Sequence, residues 1–389
     1  MHTVRTLSST NDDSTFLYFS PSFQERLALV MLYQSTKGYN WNNNDGWLSK
    51  KDHCDWWFYR DNVILPPGSS ACNSSGYLTT LSLINNMMSG SLHSSIGLLT
   101  SLQRIFMPAN QIAGTLPESL FEMQYLQELY LGQTLVTGTL PTAIGQLTNL
   151  FVLELSSVQL TGTIPTEIGN MQNLLALEVS SPFGTYYGDN ILTGTIPTEI
   201  GKLENLLYLL LWGNEFTGRL PTEIGRLSNL VILDIEENNL NVGSIPSEIG
   251  EMARLNGLFL YDNDLTGTIP TEIGNLKELT QIRLGNNALS GPLPSEIGLL
   301  SSLFDLDLSR NLLTGTIPRE LGQMMNYSEA GSIYLEDNIY LTGSIPKEIC
   351  DVKATYYKFW ALSADCHICE LNPETKCCDI CTEIPISPE

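Results

Sequence analysis

The sequence predicts an α/β solenoid, in which a unit of 24 residues is stacked repeatedly along one axis. Eleven glycines recur at intervals of 24 residues or more, one in each unit: Gly90, Gly114, Gly138, Gly162, Gly194, Gly218, Gly243, Gly267, Gly291, Gly315 and Gly343. Within a unit, leucines alternate with other residues, as at Leu258 and Leu260, which is the period-two pattern of a short strand with one buried face. All eight cysteines lie towards the two chain ends, which indicates disulfide-bonded caps.

An asparagine follows most of the predicted strands at a fixed place, where its side chain can bond the backbone of the neighbouring coil. It recurs at Asn86, Asn110, Asn190, Asn214, Asn238, Asn263, Asn287, Asn311 and Asn338. Thr134 and Val158 replace it in the third and fourth repeats. We therefore expect this hydrogen-bond ladder to be weakest there.

Two segments depart from the regular repeat. Ser22 to Glu25 is a capping-box sequence followed by apolar residues, and Gly38 is a helix stop, so a helix over residues 22–37 is predicted to cover the first coil. Residues 182–189 form an insertion with three aromatic residues before Asn190. We expect it to overhang the edge of the sheet, either as a lid or as a tolerated insertion. Residues 1–19 show no secure pattern.

The unit Leu-x-x-Leu-x-Leu-x-x-Asn-x-Leu-x-Gly-x-Ile-Pro, complete at residues 255–270, resembles the plant-specific class of leucine-rich repeats. This resemblance covers residues 77–349 and implies a right-handed superhelix with a parallel sheet on its concave face. It divides the chain into an N-terminal cap at 20–76, eleven repeats, and a cysteine-rich cap at 350–389. At about 4.8 Å per strand, eleven coils predict a sheet roughly 50 Å long.

The caps carry a further resemblance. The tryptophans and cysteines of residues 41–72 are similar to the N-terminal cap of extracellular members of the family, which implies a disulfide between Cys54 and Cys72. Residues 25–33, taken with the cysteine-rich tail, resemble leucine-rich repeat proteins of diatoms and related algae.

The tail cysteines allow two interpretations. Their two C-x-x-C pairs could hold tetrahedral zinc, whereas an even cysteine count in an oxidising compartment favours disulfides. We predict disulfides without assigning a connectivity, because six cysteines allow fifteen. The six are Cys350, Cys366, Cys369, Cys377, Cys378 and Cys381.

Composition and motifs exclude several classes of function. With 42 acidic and 19 basic side chains the net charge is −23, which disfavours nucleic-acid binding. No apolar run is long enough to cross a membrane, and the sequons at Asn73 and Asn326 agree with an extracellular protein, secreted or anchored outside this segment. The sequence contains no histidine-based metal motif and no phosphate-loop, kinase or serine-hydrolase motif, so we expect no enzymatic activity and no cofactor.

The concave face carries most of the functional information. In Leu-x-x-Leu-x-Leu-x-x-Asn, the third, fifth, seventh and eighth positions face outward, because the leucines between them enter the core. The acidic residues in these positions are Glu128, Glu154, Glu178, Asp234, Glu236, Glu237, Asp262, Asp305, Asp307, Glu336 and Asp337, against the bases Arg104, Arg283 and Arg310. The same positions hold Phe106, Tyr130, Tyr208, Leu210, Trp212, Ile232, Phe259, Tyr261 and Tyr334.

We therefore hypothesise a recognition module, a receptor ectodomain or a secreted inhibitor, that binds a basic protein or peptide on this face. Plant receptors of the class often carry an R-x-R pair that grips a peptide carboxylate, but this chain has Asp305-x-Asp307 instead, which favours a cationic partner. The candidate ligand-binding residues are Tyr208, Trp212, Asp234, Glu236, Phe259, Tyr261, Asp262, Arg283, Asp305 and Asp307.

Two other functions remain open. A cell-wall or matrix protein could bind glycans through aromatic residues and calcium held by acids. Paired threonines in the Thr-Gly-Thr segments, such as Thr161 and Thr163, could form ice-binding rows, although strand propensity also explains threonine at these places. The glutamates that follow each Ile-Pro or Leu-Pro are typical of a solvated face.

Overall fold

The computed structural model describes residues 21–44, 46–55, 71–181, 188–323, 331–355, 361–369, 378 and 380–382. Its main feature is a parallel sheet of 13 strands, here called the concave sheet, in which each strand pairs with those of the coils before and after it. The strands are Thr80–Ser82, Arg104–Phe106, Glu128–Tyr130, Val152–Glu154, Ala176–Glu178, Tyr208–Leu210, Ile232–Asp234, Gly257–Phe259, Gln281–Arg283, Asp305–Asp307, Ser332–Tyr334, Ala361–Asp365 and Ile380–Thr382. This arrangement confirms the predicted solenoid.

A second layer is made of short strands that contain the repeat glycines or lie just before them. Six strands form one sheet: Ser89–Gly90, Gln111–Gly114, Leu135–Thr139, Gln159–Gly162, Ile191–Gly194 and Glu215–Phe216. Four form another: Thr266–Gly267, Ala288–Pro292, Leu312–Thr316 and Leu341–Thr342. The two are separated at repeat seven, where the one-residue insertion places Val242 in solvent and leaves a single bridge between Thr217 and Asn239.

Helical turns complete the coils. The α-helices are Pro21–Ser35, Glu118–Phe121, Lys347–Thr355 and Cys366–Cys369. The 3-10 turns are Gly38–Asn40, His53–Asp55, Ser94–Leu98, Thr142–Gln146, Thr166–Asn170, Thr198–Lys202, Thr222–Arg226, Ser247–Glu251, Thr271–Asn275, Ser295–Leu299 and Arg319–Gln323. In the described part of the chain, no helix is both long and apolar enough to span a membrane.

One continuous core runs through the coils. The middle residue of each repeat's concave strand is a buried leucine or isoleucine, as at Leu209, Leu233 and Leu258. A leucine or isoleucine two residues after the repeat glycine closes the opposite side. Because these residues enter the core, the first and third residues of each concave strand face outward. Repetition of this pattern produces the outward columns that form the candidate site.

The asparagine ladder is present, and it thins where predicted. Asn110 donates from Nδ2 to three carbonyl oxygens and accepts the N–H groups of Asn86 and Met88. Thr134 donates only to the carbonyl of Leu131. Val158 contributes packing alone, because its side chain has no polar atom.

The threonine rows have a structural role. Thr193 donates from Oγ1 to the carbonyl oxygen of Gly162 at 3.3 Å, in the preceding coil. The methyl group of Thr163 packs over Gly194, where an added Cβ would lie only 2.8 Å from it. Stacking between coils therefore accounts for both the threonines and the glycines of this segment.

The N-terminal cap is joined to the first coil by a buried polar contact. Glu25 Oε2 lies 3.0 Å from His53 Nε2 and accepts the N–H of Leu78 at 3.1 Å. A disulfide joins Cys54 to Cys72 beside this contact, as the family resemblance implies. The first helix, Pro21–Ser35, agrees with the expected helix over residues 22–37.

The C-terminal cap continues the concave sheet with the strands Ala361–Asp365 and Ile380–Thr382. Asp365 is buried and accepts the N–H groups of Asp337 and Asn338, so it takes the place of the next ladder asparagine. A disulfide joins Cys369 to Cys378, and Cys350 and Cys366 are also disulfide-bonded. Cys377 and the side chain of Cys381 lie outside the described residues.

Candidate functional site

The candidate site is built on the third residue of each concave strand. Strand register places Leu210, Asp234, Phe259, Arg283, Asp307 and Tyr334 side by side on successive strands. This row is here called the central column. Across repeats six to eleven it therefore holds two acids and one arginine, with one aromatic residue between Asp234 and Arg283 and another after Asp307.

Arg283 is held in the middle of the column. Its guanidinium carbon lies 5.4 Å from the centre of the Phe259 ring, and its Nε lies 3.4 Å from Asp305 Oδ2. Ser332 donates a hydrogen bond to the other oxygen of Asp305. The cation–π contact and the carboxylate therefore hold one face and one edge of the guanidinium, while the Arg283 side chain stays 46% exposed.

Two glycines leave room for these side chains to lie flat. A Cβ on Gly257 would come within 2.6 Å of the Phe259 ring, and one on Gly285 within 2.8 Å of Asp307 Oδ1. Both glycines face outward from the sheet in the units that carry Phe259 and Arg283. Their missing side chains therefore make room for Phe259 and Asp307.

Several concave carboxylates also hold the local backbone. Asp307 Oδ1 accepts the N–H of Ser309 at 2.9 Å and its hydroxyl at 2.6 Å. Asp234 Oδ1 accepts the N–H of Glu236 at 3.2 Å. These bonds satisfy N–H groups just beyond the short strands, where only alternate residues donate a backbone hydrogen bond to the next coil.

Glu236 differs from its acidic neighbours. Its Oε1 is buried and has no hydrogen-bond partner among the described residues. Burial, reinforced by the charge of Asp234, raises the pKa of Glu236 to about 7, although Arg283 opposes the shift. Burial likewise raises the pKa of Asp234 to about 6. Glu236 is therefore a desolvated acid that a positively charged group would stabilise in its ionised form.

These raised pKa values predict a pH-dependent stability. Between about pH 4 and pH 7 the folded chain binds more protons at Asp234 and Glu236 than the unfolded chain, whose carboxyls titrate near 4. The free energy of unfolding should therefore fall as the pH rises through this window and level off above it. Urea unfolding at pH 5 and pH 8 measures this fall in the free energy of unfolding. The substitution Glu236→Gln should make the fall smaller. The control substitution Glu272→Gln, on the opposite face, should leave it unchanged. Equal falls in wild type and Glu236→Gln would contradict the assignment.

A pocket of about 790 Å³ opens above these residues. It is lined by Glu236, Tyr261, Arg283, Asp305, Asp307 and Tyr334, among others, and it is here called the concave pocket. Asp234 and Phe259 lie beside it in the central column. Seven of the ten residues predicted from the sequence are thus brought together.

The other three predicted residues lie elsewhere on the same face. Tyr208 is 42% exposed and Trp212 is half-buried, both on repeat six, before the pocket begins. Asp262 lines a second pocket of about 440 Å³, formed by residues that follow the concave strands, among them Asp189 and Glu215. Except for Gly188 and Asp189, the predicted insertion lies outside the described residues, so its role as a lid stays a prediction.

Sequence reasoning missed part of the pocket wall. Phe304 and Gln281 line it although neither was selected, and Ala361 of the C-terminal cap also contributes. The outward position of Gln281 was visible in the repeat pattern, whereas nothing in the tail sequence indicated that the cap continues the sheet. The repeat pattern predicts that Tyr334 faces outward, and the structure adds it to the pocket wall.

A separate aromatic patch lies on the concave sheet in repeats two and three, towards the N-terminal cap. The rings of Phe106 and Tyr130 stack with centroids 5.0 Å apart, and Arg104 pairs with Glu128 at 2.8 Å. Burial raises the pKa of Tyr130, and the charges of Glu128 and Glu154 add to the effect. These aromatic side chains are largely used in contacts with one another.

Neither cap presents a metal site in the described residues. The cluster of His53, Cys54 and Cys72 has metal-like spacing, but its two sulfurs are joined in the disulfide. The predicted glycosylation site Asn73 is exposed on a turn, where its Oδ1 accepts the N–H groups of Ser75 and Tyr77. Asn326 lies outside the described residues.

Comparison with known proteins agrees with this architecture. Residues 190–289 match a family described as a leucine-rich repeat region, and residues 302–324 match a single leucine-rich repeat. The sequence has no significant match among curated proteins.

Three solved structures illustrate the similarity. The plant peptide hormone receptor RGFR1, solved in complex with RGF2, is 33% identical over 74% of this chain, with a TM-score of 0.62; the chain spans 48% of that receptor. A leucine-rich repeat protein of Leptospira interrogans is 31% identical over 78% of this chain and 72% of its own, with a TM-score of 0.61. A plant ice-binding protein is 27% identical over 76% of this chain and 89% of its own, also with a TM-score of 0.61.

Proposed function

Because this chain belongs to the leucine-rich repeat family, we propose that it is an extracellular recognition module whose concave pocket binds a basic peptide or protein segment. The observation that carries the proposal is the pocket itself, in which Glu236, Asp305 and Asp307 surround one arginine. The excess of negative charge favours a cationic partner and increases its association rate. The chain would act either as the ectodomain of a receptor or as a secreted inhibitor.

Similarity supports the proposal at a general level. RGFR1, a plant peptide hormone receptor, was solved in complex with RGF2, and the chain shares its fold over a substantial part of the repeats. The described disulfides suit an oxidising compartment. The narrower resemblance to leucine-rich repeat proteins of diatoms and related algae rests on the two cap segments and is part of this proposal.

Tyr261 is expected to be an anchor for the ligand. It lines the pocket beside Glu236, and a half-buried tyrosine offers a large contact area at little cost in side-chain entropy. Tyr261→Ala should weaken binding by about 2 kcal/mol, mainly through faster dissociation. Surface plasmon resonance measures the affinity and the dissociation rate. The control is Tyr125→Ala, because Tyr125 is 64% exposed and lies in the turn before the concave strand of repeat three. Equal losses in both variants would contradict the assigned site.

The partner can be sought directly. The full chain is immobilised and used to capture proteins from native extracellular material, with and without a calcium chelator. Capture that survives chelation and is lost in Tyr261→Ala supports peptide or protein recognition. Capture of polysaccharide that chelation abolishes would support the alternative, a matrix protein that binds glycans through calcium.

Ice binding is a second candidate, favoured by the similarity to the plant ice-binding protein. Four exposed threonines stand on successive coils, at Thr115, Thr139, Thr163 and Thr195, and Arg219 ends the row. The methyl contacts described above already explain why threonine recurs there. Thermal hysteresis and ice-crystal shape, measured for wild type and Thr163→Lys, distinguish this function from ligand recognition.

A further inference from the structure

We infer that the concave pocket selects an extended peptide with two basic residues four positions apart and an acidic residue midway between them. This inference rests on the proposed function and specifies its ligand. It follows from the order of charges in the central column, where Asp234 and Asp307 stand at either side of Phe259 and Arg283.

The spacing comes from strand register. From Asp234 to Asp307 there are three steps between neighbouring strands. At about 4.8 Å a step, the two carboxylates lie roughly 14 Å apart. In an extended peptide laid along the column, side chains on one face recur about every 6.8 Å, so residues i and i+4 are also roughly 14 Å apart. Spacings of two or six residues miss one carboxylate by about 7 Å.

Each end of the column can hold a cation. At the first end, Glu236 and Tyr261 stand in the pocket wall, and Glu236 adds its charge to that of Asp234. At the second end, Tyr334 follows Asp307 on the next strand. A carboxylate paired with an aromatic ring suits the charged head and the apolar stem of lysine or arginine.

The middle of the column selects against a third cation. Arg283 is fixed there by the ring of Phe259 and by Asp305, so residue i+2 of the ligand meets a positive charge. An acidic residue would pair with the terminal guanidinium nitrogens, whereas lysine would be repelled. Arg283 is therefore a specificity residue, because it separates two anionic subsites that would otherwise merge.

Synthetic peptides test the spacing. A set of equal composition carries two lysines at separations of two, three, four or six residues, with aspartate between them. Fluorescence anisotropy with the full chain at pH 8 measures the affinities. The separation of four should bind about tenfold more tightly than three, because only it engages both ends together.

Variants of the chain test the assignment of each end. Asp307→Asn should remove the advantage of the four-residue separation, while Glu154→Gln, which changes the equivalent column position in repeat four, should leave it intact. Arg283→Glu should reverse the preference at the middle residue from aspartate to lysine. Circular dichroism confirms that each variant is folded.

The outcomes separate this inference from the proposed function. Equal affinities at all four separations would overturn the spacing rule while leaving a basic ligand in place. The same holds if Arg283→Glu leaves the middle preference unchanged. If no peptide of the set binds at millimolar concentration, and capture from extracellular material also fails, both the inference and the proposed function are wrong.

Discussion

Replacing Gly213 with alanine is expected to lower the free energy of unfolding by more than about 3 kcal/mol. The added Cβ would lie 2.1 Å from the carbonyl oxygen of Ser181 in the preceding coil. Neither segment can move aside easily, because the N–H of Ser181 donates to the Trp212 carbonyl at 2.9 Å and that of Gly213 donates to the Glu236 carbonyl at 3.0 Å. The overlap must therefore be relieved by breaking bonds between coils.

The left-handed backbone of Gly213, with φ at 71°, is the smaller part of this effect. Ala109 adopts a φ of 56° at the equivalent place in repeat two, so alanine can occupy this conformation. Gly243→Ala is the matched control, since Gly243 has a φ of 92° but no heavy atom within 4 Å of its added Cβ. It should cost about 1 kcal/mol. Urea unfolding followed by circular dichroism measures both, and equal losses would show that the overlap is relieved without cost.

Asn214→Val is expected to lower the free energy of unfolding by about 3–5 kcal/mol. Asn214 accepts the N–H of Leu192 at 3.1 Å and donates from Nδ2 to the carbonyl oxygens of Val179 and Leu211, each at 3.0 Å. Valine would leave these buried groups without their partner. Its size is not the cause of the loss, because Val158 occupies the same slot in repeat four.

Thr134→Val is the control for the ladder. Thr134 makes one side-chain bond, to the Leu131 carbonyl at 2.8 Å, and valine has nearly the same shape. This variant should lose about 1 kcal/mol. The same urea measurement ranks the two substitutions, and a loss in Asn214→Val no larger than in Thr134→Val would refute the view that the ladder bonds hold adjacent coils together.

The repeat pattern was sufficient to predict the solenoid, the ladder and the outward columns. Strand side chains alternate, so the positions of Leu233 and Leu258 also determine that Asp234 and Phe259 face outward. The thinning of the ladder at Thr134 and Val158 was predicted because hydrogen-bonding capacity belongs to the residue type. These conclusions depend on local geometry that every repeat shares.

Only the tertiary structure decided how the outward residues combine. It places Arg283 on Phe259 and Asp305, buries one oxygen of Glu236, and leaves Tyr208 outside the concave pocket. It also adds cap strand Ala361–Asp365 to the sheet, with Asp365 as the last ladder residue. The physical reason is that periodicity specifies the face on which a side chain lies, whereas its rotamer, burial and partners depend on neighbouring coils that lie 22 or more residues away in sequence.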